Sequence, residues 1–246
     1  MKCLAVLLFT LLFVSSSGPA FSQEVEKNLI TSGGHTRAYY SFVPKKVKAP
    51  APLIVLLHGS GRNGSIMVDK WKELAKKEGV ILVGPDSSDS QSWAIPVDGP
   101  DFLRDIVEEL KSKYAIDQRR VYLFGHSAGA SYALQLSMFE SEYFAATAIH
   151  AGALDPRSYS QIRLARRKTP IAIFVGTEDQ AFPLKVVRAT RDVLNGQGFA
   201  VELTEMPNHD HWYYDLAPKI NRSAWEFLQK HDLGADQKYK QYNFND

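Results

Sequence analysis

The sequence predicts an α/β fold: a mostly parallel central sheet, helices on both faces, and no large lid domain. Short apolar runs of strand length alternate with longer amphipathic stretches along most of the chain. Such alternation means parallel strands joined by helical crossovers. The runs Leu53–Leu57 and Ile171–Val175 are apolar without interruption, as in strands covered on both faces. The length of 246 residues suits one α/β domain with a sizeable core.

Each element can be placed in order. Ala38–Val43 reads as an early strand, and Pro44–Pro52, rich in Pro and Lys, as a loop. Leu53–Leu57 is a buried strand. Met67–Glu78 is helical, with Trp71, Leu74 and Ala75 at helical spacing. Val80–Val83 is the next strand, and Ser87–Asp98 is a polar loop that holds Trp93. Phe102–Tyr114 is an amphipathic helix with Phe102, Ile106, Val107 and Leu110 on one face, capped by Asp98 or Asp101. Strands at 121–124, 144–149, 171–175 and 199–205 then alternate with helices at 128–139, 184–195 and 216–230. The polar tail, 234–246, is expected to be loosely held.

Composition bounds the function. Charged residues make up 23% and hydrophobic ones 45%, which is ordinary for a globular domain. The net charge of +2 gives no footprint for nucleic acid or a membrane surface. The basic cluster Arg163, Arg166, Arg167 and Lys168 reads as a solvated face. Residues 1–22 read as a secretory signal peptide. Lys2 supplies the charged start, and Leu4–Val14 an apolar core too short to span a bilayer. Ala20-Phe21-Ser22 is a cleavage signal, so the catalytic domain would run over 23–233. Cys3, the only cysteine, lies in the removed segment, so no disulfide forms in the mature chain. Secretion without disulfides suits a bacterial periplasm or exterior. No stable membrane insertion is expected after cleavage. Oligomeric state leaves no mark in these motifs.

The strongest chemical signal is Val121-Tyr-Leu-Phe-Gly125-His126-Ser127-Ala128-Gly129, a strand-like run that ends in G-x-S-x-G, followed by a helix-like stretch. Strand, tight turn and helix in that order make a nucleophile elbow, with Ser127 exposed at its tip. A serine hydroxyl needs a base, and the base needs an orienting acid. Asp179 follows the strand Ile171–Val175, at the carboxyl end where ligands bind in parallel sheets. Glu178 and Asp155 are alternatives. Phe199–Met206 is followed by Pro207-Asn208-His209-Asp210-His211-Trp212. In an extended loop the two histidines point opposite ways, so one of them faces Ser127. His211 is favoured because it lies further from the strand end, and His209 becomes a loop hydrogen bonder. His-x-His is also a metal-ligand pattern, but no third ligand has matching spacing, so no metal or other cofactor is expected.

The run Leu53–Leu57 ends in His58-Gly59-Ser60-Gly61-Arg62-Asn63-Gly64. A loop of small residues lets backbone N–H groups approach a substrate oxygen. The oxyanion hole would take one donor from Ser60 or Gly61 and the other from Ala128. Each such donor contributes roughly 3–4 kcal/mol to the rate. No phosphate-loop pattern is present, and His58 is expected to pack behind the loop.

Taken together, the His58-Gly59-Ser60-Gly61 loop, the elbow, Gly176-x-x-Asp179 and the histidine loop resemble the α/β-hydrolase superfamily in their order of Ser, Asp, His. The chain more closely resembles small secreted esterases of the polyhydroxybutyrate depolymerase and feruloyl or acetylxylan esterase type. That likeness rests on Asp101-Phe102-Leu103, Tyr114-Ala-Ile-Asp117, Arg120-Val121-Tyr122 and the elbow, and covers roughly residues 36 to 230. Ala130 stands where those esterases carry a further glycine. The resemblance implies an ester hydrolase acting on a small-molecule or polymer-borne ester. About twenty residues separate Ile149 from Ile171, where many lipases insert a helical lid. That leaves room for one short helix and predicts an open site. Trp212 beside the base, and Trp93, could offer flat apolar surface to an aromatic or sugar-linked ester. Tyr213 and Tyr214 read as structural, and Arg62 as a turn residue or a partner for an acidic substrate. The alternatives are a serine peptidase of the same fold, which commonly carries an extra domain or a charged pocket for a peptide terminus, and a non-catalytic binding protein on this fold, which would normally have lost one of the triad residues.

Overall fold

The computed structural model describes residues 24–242. In chain order it contains β1 (Glu26–Ser32), β2 (His35–Phe42), β3 (Ala51–Leu57), α1 (Gly64–Glu78), β4 (Ile81–Pro85), α2 (Pro100–Lys113), β5 (Ile116–His126) and α3 (Ala128–Phe139). There follow β6 (Thr147–His150), a 3-10 helix (Pro156–Leu164), β7 (Ile171–Gly176), α4 (Leu184–Gly196), β8 (Val201–Met206) and α5 (Ala217–Leu228). The strands form one sheet in the order β1-β2-β4-β3-β5-β6-β7-β8. From β4 through β8 the neighbours are parallel, while β1–β2 and β2–β4 are antiparallel.

The sheet divides the interior into two cores. Successive side chains of a strand point to opposite faces. In β3, Leu53, Val55 and Leu57 enter one core, with Phe102, Ile106 and Leu110 of α2, Leu134 of α3 and Val187 of α4. Ile54 and Leu56 enter the other, with Met67 and Trp71 of α1 and Ile220 and Trp225 of α5. The uninterrupted apolar runs therefore do what they imply: both faces of each strand are buried. The parallel strands also end together at one edge, where Leu57 pairs with Gly125 and His126 with His150. The turns that carry the site residues leave from that edge.

Several features differ from the sequence-based expectation. β1 was not expected. It is a polar edge strand joined to β2 through Gly33 and Gly34, both at positive φ, so it lacks the apolar signature of the interior strands. β5 begins at Ile116, earlier than expected, because after Ile116 its first half is polar and at most half-buried. Neither Asp98 nor Asp101 caps α2; Gly99 does, without a side-chain bond. Asp98 is instead fully buried and accepts bonds from Arg37 (2.6 Å), Ser88 N–H (2.7 Å), Ser88 Oγ (3.0 Å) and Ala94 N–H (2.8 Å). Asp101 pairs with Arg104 at 3.3 Å and accepts from the Tyr239 hydroxyl.

The tail is not loosely held over its described part. Gln237 donates to the Tyr143 carbonyl at 2.9 Å, and the Lys238 and Lys240 N–H groups bond Glu142 O and a Glu140 carboxylate oxygen at 3.0 Å each. The segment between β6 and β7 holds only the short 3-10 helix, which leaves no space there for a helical lid. Among the described residues, no helix is long and apolar enough to cross a membrane. The proposed signal segment, 1–22, lies outside the described residues.

Candidate active site

Ser127 sits between β5 and α3 with φ 56° and ψ −119°, a conformation that L residues rarely adopt. Such strain persists only where the surroundings over-determine it. Here the glycines do so. A Cβ on Gly125 would overlap the Gly129 carbonyl, and one on Gly129 would overlap the carbonyls of Leu57 and His58. The Ser127 N–H donates to the His150 carbonyl at 3.0 Å, and the Ser127 carbonyl accepts from Ala130 and Ser131 at the start of α3.

The structure brings three of the expected residues together. Ser127 Oγ lies 2.9 Å from His211 Nε2, and His211 Nδ1 lies 2.9 Å from Asp179 Oδ2. Asp179 leaves the end of β7 with its carboxylate fully buried, and its other oxygen accepts from Ala181 N–H (2.9 Å) and Phe182 N–H (2.8 Å). An ionised carboxylate only accepts. Its contact with Nδ1 therefore places the imidazole proton on Nδ1 and turns the Nε2 lone pair to the serine. Phe182 stacks on His211 with centroids 5.8 Å apart. The loop that carries His211 turns at Asn208, φ 56°, whose N–H donates to Thr177 Oγ1 at 3.0 Å. A Cβ on Gly176 would overlap the His209 carbonyl, so the loop lies directly on the end of β7.

The alternatives lie elsewhere. Glu178 is exposed. Asp155 is solvent-facing and caps the 3-10 helix by accepting from Arg157 N–H at 2.9 Å. His209 turns away from Ser127 and meets His150, ring nitrogen to ring nitrogen, at 3.0 Å.

The loop after β3 approaches the serine closely, since a Cβ on Gly59 would come 3.1 Å from Ser127 Cβ. The Gly61 N–H donates to the Ser90 carbonyl at 2.8 Å, so it is committed within the protein. Ser60 is exposed, with its hydroxyl donating to the Gln91 carbonyl at 2.7 Å. Ala128 opens α3, where an N–H has no carbonyl one turn back to bond. His58 is buried behind the loop, its Nδ1 donating to Gly59 O at 2.9 Å and its Nε2 accepting from Ser87 N–H at 3.1 Å. Burial lowers its pKa and keeps it neutral, as those two bonds require.

Of the two tryptophans, Trp93 is half-buried. It stacks on Tyr132 (5.1 Å, 9°), and its indole N–H donates to the His58 carbonyl at 2.9 Å. Those contacts brace the loop after β3, a role the sequence did not suggest. Trp212 is 44% exposed at the rim of the His211 loop. The Arg62 guanidinium lies 5.3 Å from its ring centre and 5.3 Å from that of Tyr214. Beside the site runs an open cleft of about 430 Å³, lined in part by Ser131, Ala153, Leu154, Phe182 and Val186. Among the described residues, no group of three or more His, Cys, Asp and Glu side chains could hold a metal ion.

Comparison with known proteins bears on the family and the fold. The chain is 26% identical over 185 residues to the bifunctional acetylxylan esterase/xylanase XynS20E of Neocallimastix patriciarum, covering 72% of this chain and 27% of that protein. It is 25% identical over 176 residues to a poly(3-hydroxybutyrate) depolymerase of Ralstonia pickettii, covering 61% of this chain and 36% of the relative. The chain thus spans roughly a third of the length of these curated relatives. Among solved structures, the fluorophosphonate-binding serine hydrolase F of Staphylococcus aureus shares the fold, with a TM-score of 0.71 at 12% identity over 83% of this chain and 98% of that one. The sequence model of phospholipases and carboxylesterases matches residues 100–231, just over half of the chain and all of the elements that carry Ser127, Asp179 and His211. The chain has the α/β-hydrolase fold and belongs to the phospholipase/carboxylesterase family.

Proposed function

We propose that this protein is a secreted serine esterase that cleaves carboxylic esters through an acyl-enzyme. The observation that carries the reading is the pair of 2.9 Å contacts joining Ser127 Oγ, His211 and Asp179. Ser127 Oγ attacks the ester carbonyl as its proton passes to His211 Nε2. Asp179 holds the imidazole by Nδ1–H and stabilises the imidazolium. The carbonyl oxygen becomes an oxyanion bonded by the N–H groups of Ser60 and Ala128. Ser60 takes the loop position because the Gly61 N–H is occupied by Ser90. Collapse of the tetrahedral adduct expels the alcohol, which takes the proton from His211. Water then attacks the acyl-enzyme, with His211 removing a proton from it, and the acid leaves as Ser127 regains its hydrogen.

The open cleft and exposed Trp212 favour short-chain, aryl- or sugar-linked, or hydroxyalkanoate esters, on small molecules or borne on a polymer. The names of the relatives, an acetylxylan esterase and a hydroxybutyrate depolymerase, support the same range. Trp93 braces the oxyanion loop rather than the substrate. Export follows from the 1–22 segment, with cleavage after Ser22. Hydrolysis of p-nitrophenyl esters from acetate to octanoate, beside Ser127→Ala, tests the reading. Turnover of the short esters that vanishes in the variant is expected. Turnover that survives in the variant, or none on any ester, would sink it.

A further inference from the structure

Beside Ser127 lies a second set of imidazoles that the proposed chemistry does not use. His126 precedes the serine at the end of β5, His150 ends β6, and His209 sits in the loop after β8, all buried. His126 Nδ1 and His150 Nδ1 are 3.0 Å apart, as are His150 Nε2 and His209 Nε2. A neutral imidazole has one N–H and one lone pair. Three neutral rings with two mutual contacts therefore form a chain whose middle member donates at one nitrogen and accepts at the other. Burial lowers the pKa of all three, to about 3 for His126 and about 2 for His150, so the rings are neutral near pH 7. The facing charged and titratable groups are His211 and Arg62 at the His126 end, and Asp179, Asp210, His211 and Lys219 at the His209 end.

His150 joins the two halves of the site. Its carbonyl accepts the Ser127 N–H, one ring nitrogen meets the residue before the serine, and the other meets the His211 loop. Tyr213, two positions after His211, stacks on His126 (centroids 5.1 Å apart) and packs against His150 (5.7 Å). The His209 carbonyl accepts the Glu178 N–H at 2.9 Å, which ties the same loop to the strand end that carries Asp179.

We infer that His126, His150 and His209 are positioning residues: a hydrogen-bonded imidazole chain that clamps the loop bearing His211 to the turn bearing Ser127. The inference rests on the serine-esterase reading. The clamp sets the separation across which the serine proton moves, and a misplacement of ~1 Å in such a geometry can cost roughly a hundredfold in rate.

His209 offers the test, because it lies at the outer end of the chain and uses Nε2 alone. A glutamine amide reaches close to that position, and an alanine does not. His209→Ala is expected to lower kcat on p-nitrophenyl butyrate about tenfold or more with KM within about twofold, and His209→Gln to restore kcat to within about threefold of wild type. Both variants should melt at similar temperatures. Wild-type kcat in folded His209→Ala, or equal losses in the Ala and Gln variants, would overturn the clamp. Should His209→Ala not fold, His150→Asn keeps the His126 side of the chain, loses the His209 side, and is expected to show the same fall in kcat at constant KM. Wild-type kcat there would overturn the clamp equally. Ser127→Ala run in parallel separates the two ideas: turnover that survives in it defeats the esterase reading whatever His209 does.

Discussion

Ser127 is held in a backbone conformation that costs energy, and the residues around it show what maintains it. Gly125 and Gly129 leave no room for a methyl group against backbone carbonyls, which cannot swing aside as a side-chain end can. Gly125→Ala is therefore expected to destabilise the fold by about 1–3 kcal/mol or more and to remove activity, as read by thermal melting and ester turnover. The buried histidines make a second prediction, on pH. Their folded pKa values lie below the unfolded value of about 6.5, at about 3 for His126 and about 2 for His150. Below pH ~6.5 the unfolded chain binds protons that the native one refuses, so stability falls as pH drops, by roughly 1 kcal/mol per pH unit for each such histidine. The loss continues until the pH reaches the folded values. Urea titrations between pH 7 and 4 should show this slope, and His150→Asn should flatten it. A stability profile that stays level over that range would count against neutral rings. At this scale much was legible in advance. G-x-S-x-G pointed to Ser127, and the strand-end position to Asp179 with Glu178 and Asp155 as alternatives; the structure brings Ser127 and Asp179 to His211. The preference for His211 over His209 rested on distance along the loop. The turn at Asn208 that sends the two rings to different partners has no sequence signature strong enough to read. His150 carried no signal, because its role exists only where three strand ends meet.

Elements place these residues, and one loop does more than its composition suggested. The segment 87–98 is polar, yet it is built around Asp98, whose carboxylate gathers Arg37, Ser88 and Ala94 inside the protein. Its Trp93 braces the turn after β3 through the His58 carbonyl. Removing Asp98 leaves Arg37 buried to about nine-tenths without a counter-charge. Loss of one partner of a buried pair typically costs about 3–5 kcal/mol. Asp98→Ala should lower the melting temperature markedly and raise KM or lower kcat through the displaced loop after β3, whereas Asp101→Ala, at the half-exposed start of α2, loses only Arg104 and the Tyr239 hydroxyl and should cost less stability and leave turnover intact. Equal melting temperatures for the two variants would refute the assignment. The misreading of Asp98 as a helix cap has a simple cause: an Asp just before a helix carries the same one-dimensional signal whether it faces the helix or the core. β1 and the first half of β5 escaped notice for a related reason. Each is largely polar and only partly buried, which leaves little trace in hydropathy.

At the scale of the molecule, the sheet is a wall between two cores, and its parallel strands bring every turn of the site to one edge. That architecture was legible because burial on both faces demands uninterrupted apolar strands, and such runs are hard to mistake. The order of the strands and the seating of the C-terminal tail on the ends of α2 and α3 were not, because both depend on contacts between residues far apart in sequence. Removing residues 234–246 is expected to lower stability and leave ester turnover by the folded protein intact, since residues 237–240 dock away from the site. Loss of kcat at full stability would contradict that placement. The account as a whole depends on Ser127 being the atom that is acylated. The direct measurement is intact-mass and peptide mapping after exposure of the native protein to a fluorophosphonate. The account predicts a single adduct on Ser127, formed in the wild type and absent from Ser127→Ala. No adduct, or one on another residue with Ser127 unmodified, would contradict it.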